Sequence, residues 1–133
     1  MSERKLLRSG WFWFSIIWAA FIFFVSVIPA VDLPSISIWE SDKLAHAIVY
    51  CILTISVAFT IRKSRPDYGI TRTIIITAVL CISYSLAIEI LQDTPLVSRS
   101  FDILDIVANC IGTGLGTVIL LNRFKWEMVK KKN

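Results

Sequence analysis

Three short stretches of this chain carry the residue types that do chemistry. The first is DKLAHAIVY, in which Asp42, His46 and Tyr50 recur every four residues, with Lys43 beside the acid. On a helix that spacing puts the three on one face. The second is SLAIEILQD, where Glu89 and Gln92 are three apart and Ser85 lies one turn below Glu89. The third is RSFDILDIVANCIGTGLG, residues 99–116. There Arg99 leads into Asp102, Asp105 and Asn109, and Gly112 and Gly116 continue the same helical stripe. The stripe is acid and amide at one end and bare backbone at the other.

These types support more than one chemistry. An imidazole among carboxylates suits general acid–base work, with His46 and Glu89 as the catalytic candidates. It also suits a divalent cation, for which His46, Glu89 and Asp105 are the candidate ligands. Arg99 and Lys43 supply cations for a phosphate or carboxylate, Arg99 with a two-pronged grip. Set against these are plainer roles. A lone histidine in an apolar run is often a hydrogen-bonded packing residue, and Asp42, Asp93 and Asp102 suit helix starts and loops. The chain has no H-E-x-x-H, G-x-S-x-G, P-loop or dinucleotide-binding glycine pattern. GTGLG at 112–116 reads as a packing face, because small residues four apart let another helix come close.

The elements that must position these residues are apolar runs. Trp11–Ile28, Leu44–Ile61, Thr73–Leu91 and Ile103–Leu121 divide a chain of 133 residues. About 20 residues at about 1.5 Å rise cross a hydrocarbon core of about 30 Å. The hydrophobic fraction of 56% and mean hydropathy of +0.69 exceed those of ordinary soluble domains. The reading is an all-α integral membrane protein: one domain over 1–133, with helices over about 10–28, 43–61, 71–92 and 102–121 forming a four-transmembrane-helix bundle.

Charge orients the bundle. Residues 1–10, 62–72 and 122–133 together hold twelve Lys/Arg, and the rest of the chain holds two, Lys43 and Arg99. Basic segments stay cytoplasmic, so both termini and the 62–72 loop are expected inside. The 29–42 and 93–101 loops are then outside, and Ser41 or Asp42 is expected to cap the second helix. The basic segments follow from topology and anionic lipid, so they call for no nucleic-acid partner. Cys51, Cys81 and Cys110 lie one per run without a C-x-x-C spacing and read as small packing residues. The basic start and first run do not match a cleaved signal peptide, since the run is too long and aromatic. The end, RFKWEMVKKKN, reads as an amphipathic or frayed basic tail.

With this topology the three polar stretches meet. Helix two starts at the outer face, helix three ends there and helix four starts there. Their polar residues therefore fall within about two turns, about 11 Å, of the outer surface. A charge placed in the bilayer centre costs about 2.5–3.5 kcal/mol, so such groups usually face a partner or a wet cavity. An outward-facing pocket lined by Asp42, Lys43, His46, Tyr50, Glu89, Gln92, Arg99, Asp102, Asp105 and Asn109 is the expectation. Gly112 and Gly116 pack the helices beneath it.

The order D-K-x-x-H-x-x-x-Y, E-x-x-Q, R-x-x-D-x-x-D-x-x-x-N-x-x-G-x-x-x-G, spread over residues 40–120, resembles the VanZ-like family of bacterial membrane proteins. It is carried by Asp42, Lys43, His46, Tyr50, Glu89, Gln92, Arg99, Asp102, Asp105, Asn109, Gly112 and Gly116. The resemblance implies a small multi-pass protein of the bacterial cell envelope, in a family whose namesake confers low-level teicoplanin resistance. It fixes neither a reaction nor a substrate. The leading expectation is binding of a membrane lipid head group, a lipid-linked cell-wall intermediate or a glycopeptide antibiotic. The rivals are an outer-leaflet enzyme using His46 and carboxylates, with a divalent metal as cofactor, and a lipid transporter acting as an oligomer.

Overall fold

The computed structural model describes residues 6–28, 39–95, 97 and 101–130. Its regular elements are four helices: α1 (Gly10–Ser26), α2 (Trp39–Ser64), α3 (Ile70–Gln92) and α4 (Ile103–Lys130). Three contain stretches long and apolar enough to cross a membrane: Asp42–Ser64, Ile70–Gln92 and Ile103–Lys130. The apolar α1 has 17 residues. The expected all-helical class holds, and the helices begin and end close to where the apolar runs do.

Two boundaries differ. α2 begins at Trp39, so Asp42 lies inside its first turn and does not cap it. Its carboxylate instead reaches one turn on, toward His46. α4 continues past Leu121 to Lys130 as unbroken helix and does not fray. Phe124 is buried there with Leu120 against Ala58, and Arg123 pairs with Glu127 at 3.3 Å. Arg123 and Lys130 also lie over the Trp126 ring. Burial of one aromatic plus an i,i+4 ion pair extends the helix where hydropathy alone falls off.

The interior is small and polar, the exterior large and apolar. Thr54, Ser56, Thr73, Thr77 and Ser85 are buried, while Phe24, Ile75, Val79, Ile90, Ile111 and Val118 stand outside. A soluble bundle places these classes the other way round. Several of these buried hydroxyls bond to their own helix. Thr54 donates to the Tyr50 carbonyl at 2.7 Å, Thr77 to that of Thr73 at 2.8 Å, and Ser56 to that of Leu53 at 2.8 Å. Each satisfies itself on the preceding turn, as hydroxyls in membrane helices do. They keep the helix surface thin, and the helices close in.

α2 and α4 form the most extensive contact. A Cβ added at Gly112 would lie 2.1 Å from the Ala47 carbonyl oxygen, and one at Gly116 would lie 3.0 Å from that of Cys51. Ala47 and Cys51 are four apart on α2, as Gly112 and Gly116 are on α4. Two small-residue ridges thus face each other, and the backbones meet. Gly114, between them in sequence, has open space where its Cβ would be.

α1 is held along its length. Trp11 stacks on Phe59 at 4.8 Å, Ser15 Oγ lies 3.1 Å from Thr60 Oγ1, and the Trp18 indole donates to the Val49 carbonyl at 2.9 Å. The Tyr84 hydroxyl donates to the Ala19 carbonyl at 2.6 Å, and Gln92 Nε2 donates to that of Ser26 at 3.0 Å. α1 and α3 therefore run one way and α2 and α4 the other. The end of α1, the start of α2, the end of α3 and the start of α4 share one end of the bundle.

Candidate functional site

That shared end carries the polar stretches. Lys43, in the first turns of α2, reaches across to α4 and donates to Asp102 Oδ2 at 2.5 Å and to Asp105 Oδ1. Asp102 precedes α4 and caps it, its Oδ1 accepting the Leu104 N–H at 2.8 Å. The Lys43 ammonium beside Asp102, aided by that N–H, holds its carboxyl below the usual carboxylate range. Glu89 on α3 accepts the Asp102 backbone N–H at 2.8 Å, tying the end of α3 to the start of α4. Its second oxygen, Oε2, is buried without a hydrogen-bond partner among the described residues.

A second chain of bonds runs below the first. Asn109 on α4 donates through Nδ2 to Ser85 Oγ on α3 at 2.8 Å. Its Oδ1 lies 3.2 Å from His46 Nδ1 on α2. In that orientation Nδ1 carries the imidazole proton, and Nε2 of the neutral ring is an acceptor. Nε2 faces Asp105 Oδ2 at 3.7 Å and Asp42 Oδ1 at 3.8 Å. With Nδ1 protonated, Nε2 joins the two carboxylate oxygens as a third acceptor, and a proton on Nε2 or a cation among the three relieves their repulsion. Asp42, His46 and Asp105 are the one group among the described residues whose ligand atoms gather to within 4.8 Å.

The expected residues can now be placed. Asp42, Lys43, His46, Glu89, Asp102, Asp105 and Asn109 form one connected cluster from α2, α3 and α4. Glu89 is not in the trio that can hold an ion; Asp42 stands there with His46 and Asp105. Gln92 binds α1 and sits beside the cluster. Tyr50 is buried with Ile22, Leu53, Cys81 and Ile88, its hydroxyl on the side of Ser85 and Glu89. Arg99 lies outside the described residues.

α1 adds what the spacing of polar residues does not signal. A cleft of about 120 Å³ opens beside the cluster, with Asp42 and His46 at its polar end. Phe21, Ile22 and Val25 of α1 and Val49 of α2 form its apolar wall, and Ser26 and Gln92 close one side. Ser26, near the end of an otherwise apolar run, is the signal for α1's part. The arrangement offers a cation or donor site at one end and hydrocarbon contact at the other.

The family model described as VanZ/LLP1 matches residues 11–125, which covers α2 and α3, nearly all of α1, most of α4 and the whole cluster. No curated protein and no solved structure matches the chain.

Proposed function

The chain belongs to the VanZ/LLP1 family, and on that footing we propose that it is a multi-pass protein of the bacterial cytoplasmic membrane that holds the head group of a membrane amphiphile. The observation that supports this reading is the cleft: Asp42 and His46 at one end, Phe21, Ile22 and Val25 along the wall. Small-molecule sites pair an apolar lining with a few placed polar groups, and an amphiphile matches both parts. The ligand class includes a phospholipid, a lipid-linked cell-wall precursor and the lipid-bearing part of a glycopeptide. The last would give the protein a role in teicoplanin-type resistance.

In this reading α1 is a fourth span. Its 17 residues rise about 26 Å, and Trp11 and Trp13 lie near the interface where indole rings concentrate. The partition of Lys and Arg puts both termini inside and the polar cluster at the outer leaflet. An impermeant thiol reagent on intact cells should label Phe101→Cys, which is exposed, and spare Asp67→Cys in the α2–α3 turn. Labelling of Asp67→Cys with Phe101→Cys protected would invert the map.

A second reading, outer-leaflet chemistry assisted by a divalent metal, draws on the convergence of Asp42, His46 and Asp105. Three protein ligands with an open position is the pattern of catalytic metal sites. One experiment separates the two. Native mass spectrometry of protein released from its detergent should show a retained amphiphile, lost in His46→Ala. A bound divalent ion without an amphiphile, found by elemental analysis and lost in the same variant, favours the metal reading.

A further inference from the structure

The polar end of the cleft gathers acceptors that suit a cation. Its acceptors are Asp42 Oδ1, His46 Nε2 and, behind them, Asp105 Oδ2, with Nε2 at 3.8 and 3.7 Å from the two carboxylates. All three atoms lie within 4.8 Å of one another. A tetrahedral metal at about 2.1 Å from its ligands sets them about 3.4 Å apart. An ammonium whose N–H groups reach acceptors at about 2.8 Å sets them about 4.6 Å apart. The 3.7 and 3.8 Å separations lie between the two, so the spacing admits either cation, and the apolar wall of Phe21, Ile22 and Val25 beside it favours an ammonium that carries an alkyl chain. Charge agrees. Asp42, Asp102 and Asp105 outnumber Lys43, which already serves the latter two, so a phosphate at this end would meet net negative charge among the described residues. Asp42 is half exposed and opens on the cleft, which gives a ligand access.

We propose that the cleft takes an amphiphile bearing a primary ammonium group: the ammonium donates to Asp42 and His46, and the alkyl chain lies against Phe21, Ile22 and Val25. This rests on the amphiphile-binding reading above and narrows it to one head-group chemistry. An aminoalkyl lipid head group and a free long-chain amine share that chemistry, and the apolar wall accepts the chain of either.

The test uses the full chain in a neutral detergent with EDTA present, and native mass spectrometry to count adducts of dodecylammonium, dodecyl phosphate and dodecanol. Dodecylammonium should be retained about tenfold more than the other two, since charge-assisted bonds are the stronger ones. Asp42→Asn should remove that preference while the far-ultraviolet helical signal stays unchanged, because Asp42 is half exposed. Equal retention of dodecyl phosphate or dodecanol overturns the ammonium assignment and leaves amphiphile binding standing. Retention of none of the three overturns both. Without EDTA, a divalent ion that binds and excludes dodecylammonium assigns the acceptors to a metal and overturns the proposal. Phosphatidylethanolamine and dodecylammonium then separate the two sources: competition between them supports a lipid head group within the proposal, and binding by the free amine alone supports a soluble amine within it.

Discussion

Gly112→Ala is expected to separate α2 from α4. Its Cβ would lie 2.1 Å from the Ala47 carbonyl oxygen and under 3 Å from that residue's Cα and carbonyl carbon. All three are backbone atoms of a helix, so no rotamer change relieves the overlap. Overpacking of a tight core costs about 1–3 kcal/mol and more where backbone must move, and here it must. The loss extends upward, because Ala47 is the neighbour of His46 and the same α2–α4 contact sets the reach of Lys43 to Asp105. Gly112→Leu should give no folded protein. Gly116→Ala should be milder than Gly112→Ala, since its Cβ first meets the Thr54 side chain at 2.9 Å. Gly114→Ala meets nothing and should be neutral or stabilising by up to about 1 kcal/mol. Thermal unfolding in detergent ranks the three. Equal midpoints for Gly112→Ala and Gly114→Ala would remove the close contact from the description.

Lys43→Met carries the second large effect. Asp105 is buried and takes the Lys43 ammonium directly, with His46 Nε2 3.7 Å from its other oxygen. Removing one member of a buried pair leaves an uncompensated charge, at a cost of about 3–5 kcal/mol. The double variant Lys43→Met/Asp105→Asn removes the stranded charge and should recover most of that loss. Asp102, on the half-buried rim, should contribute less: Asp102→Asn keeps a cap for the Leu104 N–H and should cost about 1 kcal/mol. If the double variant is as unstable as the sum of its singles, Lys43 and Asp105 do not act as a pair.

The spacing of residues carries the frame of the site further than its detail. Asp102, Asp105, Asn109, Gly112 and Gly116 recur at helical intervals, and from Asp105 onward these positions are buried on one face of α4. That much follows from periodicity, because polar and small residues contrast with Ile and Leu between them. The partner of each group does not follow. Lys43 and Arg99 both read as ligand cations, and the fold spends Lys43 between Asp102 and Asp105. Glu89 reads as a metal ligand, and the fold uses it to hold the Asp102 N–H. Both outcomes depend on the separation of α2, α3 and α4, which the glycine contact fixes and which no single helix records. The contribution of α1 is hidden for a different reason. Phe21, Ile22 and Val25 line the cleft while Phe24 faces outward, yet all are apolar, so the pattern has no contrast to read.

That contrast on α1 also supplies the most direct test of amphiphile binding at the cleft. A photoreactive benzoyl-phenylalanine in place of Phe21 stands at the edge of the cleft, and one in place of Phe24, a single turn on, stands on the outer surface away from it. Irradiation in membranes should crosslink both to lipid. The crosslink from position 21 should be to a restricted set of amphiphiles and should fall severalfold when Asp42→Asn or His46→Ala is added, because the head group is then no longer held. The crosslink from position 24 should not change. The same lipid profile at both positions, indifferent to Asp42 and His46, would contradict a head-group site at this end of the bundle.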